Sequence, residues 1–166
     1  TNPPAIRSNR PFVTHNRYGK GNAVYFSNLI GSNYARIPFV ETRRLVGEMV
    51  RYVAGDRLTV QVDGPPSVEV NAFRQSKPRR TVIHLVNLQT EAGRNYVTSK
   101  GESRHLVQEI LPVHDIKVSL RKEGAIKSIT LQPEGVNSSY SEEEYRVKVQ
   151  IPKLHVHSMI VVEWEQ

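Results

Sequence analysis

Two periods of hydrophobic residues divide the chain. Over residues 38 to 54, Val46, Met49, Val50 and Val53 recur at i, i+3, i+4 and i+7, with Leu45 widening the stripe and Arg43, Arg44, Glu48 and Arg51 off it. That spacing predicts an amphipathic helix. Pro38 suits its first turn and Gly55 the left-handed residue that ends it. Upstream, Phe12 to Asn16 and Ala23 to Ser27 read as short strands joined by Arg17-Tyr18-Gly19-Lys20-Gly21, a glycine-rich reversal. Val24 and Phe26 would face one way and Ala23 and Tyr25 the other, so the second strand is expected to be covered on both sides, inside a sheet.

After Asp56 the period changes to alternation, starting with Leu58, Val60 and Val62 and resuming at Val68, Val70 and Ala72 beyond Gly64-Pro65-Pro66. Further strands are predicted at Thr81 to Leu88, Ile116 to Leu120, Ile126 to Leu131, Tyr145 to Ile151 and Met159 to Trp164. Strands at this spacing without helices between them predict an antiparallel β-sandwich. The polar stretch Glu91 to Arg104 reads as a long exposed loop. The expected fold class is mixed: a partial α/β layer of one hairpin and one long helix over residues 1–56, then an all-β sandwich over 57–166. Pro3, Pro4 and Pro11 give the opening an extended character that reads as a cut edge, the start of a fragment.

Composition narrows the functional classes. At 166 residues and 38% hydrophobic content the chain can pack a core. No apolar run is long enough for a membrane span and no leader is visible, so the cytoplasm is the default compartment. With no cysteine, disulfides, thiolate metal sites and a cysteine nucleophile are excluded. The net charge of +7 is uneven: residues 1–56 hold eight Lys/Arg against three Asp/Glu, and residues 57–166 hold fifteen against thirteen. The densest cluster, Lys77, Arg79 and Arg80, is interrupted by Pro78 in an apparent hairpin loop. Such dispersed charge argues against nucleic acid as the partner.

The chemistry-bearing residues do not assemble into a site. His155 and His157 form an H-x-H pair that would share one face of a strand, but two ligands lack the third and fourth that a zinc centre takes. His114 and Asp115 are adjacent and would point to opposite faces. His84 reads as a hydrogen-bonded core histidine. Gly19-Lys20-Gly21 lacks the strand-to-helix context of a phosphate loop. Glu142, Glu143 and Glu144 read as a solvated turn rather than a glycosidase pair. Asn137-Ser138-Ser139 fits a glycosylation sequon, to which no function is assigned. For stacking on sugars the candidates are Trp164, which closes the last predicted strand, and Tyr96 and Tyr140, both in predicted loops. No catalytic, cofactor-binding or metal-ligating residue is assigned, and no cofactor is expected.

The stretch Asn16-Arg17-Tyr18-Gly19-Lys20-Gly21-Asn22-Ala23-Val24-Tyr25-Phe26 resembles the final hairpin of the glutamine-amidotransferase-like trimerisation domain of bacterial glycoside hydrolases of the β-galactosidase type. Arg43-Arg44-Leu45-Val46, with Val53-Ala54-Gly55-Asp56, resembles that domain's last helix. Pro66-Ser67-Val68-Glu69-Val70, His84-Leu85-Val86-Asn87-Leu88, Pro112-Val113-His114-Asp115 and His157-Ser158-Met159-Ile160-Val161-Val162 resemble the small C-terminal β-domain that follows. The resemblance implies a non-catalytic structural and oligomerisation region. Its partners would be an N-terminal catalytic domain of the parent protein and further copies of itself. In that family the catalytic carboxylates lie on a barrel that nothing here matches, and the cysteine and His-x-Glu of true amidotransferases are both missing. A carbohydrate-binding β-sandwich module is the alternative, and a basic nucleic-acid-binding domain a more distant one.

Overall fold

A computed structural model describes residues 9–89, 95–105 and 109–165. The chain divides into two compact units, Thr1–Leu58 and Thr59–Gln166.

In the first unit, β1 (Val13–Tyr18) and β2 (Gly21–Phe26) pair antiparallel, with Tyr18 opposite Gly21. Gly19 takes φ 57°, the left-handed first position that a two-residue hairpin turn with one positive φ requires. The helices α1 (Ile30–Arg36) and α2 (Val40–Ala54) follow. Phe39 caps α2, so Pro38 stands just outside the helix instead of in its first turn. The C-terminal end runs into a 3-10 turn over Gly55–Arg57, with Gly55 at φ 54°. Arg57 donates to the carbonyls of Val53 and Ala54 at 3.0 and 3.1 Å, satisfying acceptors that the last turn leaves open. Val24 and Phe26 are half-buried, whereas Ala23 and Tyr25 face solvent and β2 pairs only with β1. The strand expected to be covered on both sides is therefore covered on one. α1 is absent from the sequence reading because its seven residues carry no apolar stripe and no side-chain cap.

The second unit is a sandwich of two antiparallel sheets. Its strands are β3 (Val60–Asp63), β4 (Val68–Ser76), β5 (Arg79–Asn87), β6 (Asn95–Val97), β7 (Ser103–His105), β8 (Val113–Arg121), β9 (Ile126–Gln132), β10 (Val136–Asn137), β11 (Tyr140–Glu142), β12 (Arg146–Leu154) and β13 (His157–Trp164). One sheet has the order β10-β9-β13-β5-β4 and the other β11-β12-β8-β3. Within the stretch read as a long loop, β6 and β7 pair as a short hairpin, and residues 91–94 lie outside the described residues.

Alternation along these strands decides which side chains meet. Ile83 and Leu85 of β5, Ile160 and Val162 of β13, Ile116, Val118 and Leu120 of β8, and Val147, Val149 and Ile151 of β12 face inward and form one core. Trp164 closes it at 3% exposure, and its indole N–H donates to the buried hydroxyl of Thr81 at 3.0 Å. A buried indole needs such a partner. Asn87, 2% exposed, does similar work at the other end of β5. Its amide donates to the carbonyls of Leu111 and His155 at 2.7 and 2.8 Å, and its oxygen accepts from the backbone N–H of Gln89 at 2.9 Å.

Candidate functional site

The residues singled out by sequence are dispersed by this topology. His155 lies in the turn after β12 and His157 begins β13, so the H-x-H pair straddles a bend and does not share one strand face. The His155 carbonyl is taken up by Asn87. His114 and Asp115 are both exposed because Asp115 adopts φ 57° and breaks the alternation of β8, leaving Val113 and Ile116 both buried. The register of β8 on β12 places Asp115 opposite Pro152, which has no N–H for the ladder, and Asp tolerates the left-handed region better than most residues.

Glu142 pairs with Lys122 and Glu143 with Lys148. Glu142 lies in β11, and the three glutamates do not converge. Glu144 hydrogen-bonds the Tyr145 hydroxyl, and that bond, with a smaller contribution from burial, raises the phenol above its ordinary value of 10.0. The basic cluster is structural. The turn contains Lys77 and Pro78, and both arginines belong to β5: Arg79 donates to the backbone carbonyls of Glu123 and Glu165, and Arg80 to the side chain of Gln75. Across the sheet from Arg80, Glu163 receives Lys127 at 3.1 Å and Ser128 at 3.3 Å. The hydrogen bond and charge of Lys127 hold the Glu163 carboxyl below its ordinary value of 4.5 against a small opposing effect of burial.

Of the proposed sugar platforms, Trp164 is removed from consideration by its burial. Tyr96 lies in β6, and its ring is outside the described residues. Tyr140 lies on the edge strand β11 rather than in a loop. It is 42% exposed and lines a hollow of about 330 Å³ with Lys117, Ser139, Ser141, Lys148, Val149 and Gln150. Hydroxyls, an amide and ammonium groups around a ring can hydrogen-bond a polyol.

The chain is similar to part of the alpha-L-fucosidase isoenzyme 2 from Paenibacillus thiaminolyticus, with a TM-score of 0.73 and 20% identity over 89% of this chain. A glycoside hydrolase thus contains this fold. The match covers 21% of the fucosidase, so the chain spans about a fifth of that protein's length. No protein-family profile matches the chain, and no curated protein sequence does.

Two arrangements were hidden from sequence. On the outer face of the five-stranded sheet, His84 is half-buried rather than in the core. Its Nδ1 lies 3.1 Å from Nε2 of His157, and the rings are nearly parallel at 19°. Phe73 of β4 sets its ring edge-to-face with His84 at 5.6 Å. The second arrangement lies within the first unit, where Val24, Phe26, Val46, Met49, Val50, Val53 and Ala54 line an open apolar groove of about 330 Å³. Among the described residues, no group of three His, Asp or Glu side chains could hold a metal ion, and no helix is long and apolar enough to cross a membrane.

Proposed function

We propose that this chain is a non-catalytic packing and subunit-contact region of a larger glycoside-hydrolase-like protein. Its first unit would complete an amidotransferase-like layer of the trimerisation type, while a separate domain supplies the catalytic carboxylates. The observation that carries this reading is the apolar surface of the first unit. None of its described residues is buried, and Tyr25, Leu29, Ile37 and Phe39 are 67, 74, 57 and 60% exposed. Covering one such side chain is worth about 1.5–3 kcal/mol, so a surface of this kind favours a partner. The fold likeness to a segment of a fucosidase supports the carbohydrate context.

The test compares the 166-residue chain with its full-length gene product by light scattering and by hydrolysis of aryl glycosides. The reading expects the longer product to associate and hydrolyse while the chain alone is inactive. Val50→Asp in the longer product should weaken association without altering the sandwich. A gene product no longer than this chain, monomeric and stable, would overturn the reading.

The hollow beside Tyr140 favours a second reading, direct contact with a glycan. It expects saturable binding in a neutral and acidic glycan screen that Tyr140→Ala reduces by roughly tenfold, since ring stacking contributes about 1 kcal/mol or more. Equal retention by chain and variant would remove it.

A further inference from the structure

We propose that His84 and His157 form a two-imidazole site for a transition-metal ion, Cu(II) above all, on the outer face of the five-stranded sheet. The register of β13 on β5 sets His84 opposite Met159, so His157, two residues away, lies on the same face at the diagonal position. The rings bridge that diagonal, bringing Nδ1 of His84 to 3.1 Å from Nε2 of His157. With metal–imidazole bonds of about 2.0–2.1 Å, two nitrogens at that separation subtend about 95–100° at a shared ion, between the square-planar and tetrahedral angles. Backbone pairing puts the two side chains on one face within reach of each other, and their rotamers bring the nitrogens to this bite distance.

In the metal-free pair one facing nitrogen carries the proton of the hydrogen bond. Binding requires that proton to move, through solvent, to the far nitrogen of the same neutral ring, leaving both facing lone pairs for the ion and releasing no net proton. Each lone pair must also swing by about 40° from the line joining the nitrogens. His157 is exposed and can turn, whereas His84 is held against Phe73. No cysteine competes in this chain, and imidazole with water suits Cu(II), which stands at the top of the divalent affinity order. Two side chains leave further coordination positions to solvent or to an incoming ligand. The core of the sandwich is assembled without this pair, so the ion would be exchangeable.

The experiment titrates the 166-residue chain with Cu(II) alone, followed by calorimetry and by electron paramagnetic resonance. Proteins carrying His157→Gln, His84→Gln or His155→Gln are compared, each checked for an unchanged far-ultraviolet spectrum. Because the second imidazole binds intramolecularly, its loss should weaken the tightest site on the order of 10²-fold and remove the two-nitrogen hyperfine pattern. His155→Gln should bind as the parent does. The ion should also raise the melting temperature of the parent and not of His157→Gln, since it joins two strands only in the folded state. Should His84→Gln perturb folding, the exposed His157 position decides alone. Equal Cu(II) affinity in the parent and His157→Gln, or a tightest site lost with His155→Gln, would overturn the proposal.

Discussion

At the scale of single residues, burial of polar groups separates structural side chains from available ones. Asn87 looks in sequence like any polar residue at a strand end, yet its three side-chain hydrogen bonds join β5 to Leu111, to His155 and to Gln89. At about 1 kcal/mol net each, Asn87→Leu should cost about 3 kcal/mol, read as a fall in the urea midpoint. Glu163 gives a pH signature. Its folded-state value lies below the ordinary 4.5, so the stability it contributes is complete above that value and lost as pH falls through the lower folded one. Glu163→Gln should flatten the acid limb of melting temperature against pH below about 4.5 by lowering the neutral plateau slightly, the pair being largely solvent-screened, and should meet the parent at the acid end, where Glu163 is uncharged too. Neither role was legible beforehand. Apolar runs marked Thr81 to Leu88 and Met159 to Trp164 as strands, but the partners of Asn87 and His84 lie up to 73 residues away and depend on strand register.

At the scale of elements, the strong periodic signals were readable and the exceptions were local. The stripe Val46, Met49, Val50 and Val53 marked α2, one-faced alternation marked β8 and β12, and short apolar runs marked β5 and β13. α1 was invisible for want of such a face, and Tyr140 and Tyr96 were assigned to loops because strands of three residues are too short to show a period. The break in β8 escaped because it needs both Asp115 and a proline 37 positions later. It carries a prediction. Asp115→Val should cost about 1–2 kcal/mol by forcing a β-branched residue into the left-handed region, while Asp115→Gly should be close to neutral. Chemical denaturation of the pair separates backbone strain from loss of the carboxylate.

At the scale of the whole molecule, the two units differ in how much they bury. The sandwich contains the cluster built on Ile83, Ile116, Ile151 and Ile160, whereas the described part of the first unit contains no buried residue. Residues 59–166 expressed alone should therefore keep the cooperative melting transition of the full chain. The change of period near residue 57 was apparent in sequence, but the uncovered state of the hairpin was not, since exposure depends on what else is present.

On the proposed reading, the first unit is a surface that the longer protein covers. Hydrogen exchange of α2 amides, followed by mass spectrometry in the isolated chain and in its full-length product, tests it most directly. Residues 40–54 should exchange orders of magnitude faster than β5 and β13 in the isolated chain, and become protected in the longer product. Protection of α2 equal to that of β5 in the isolated chain would contradict it.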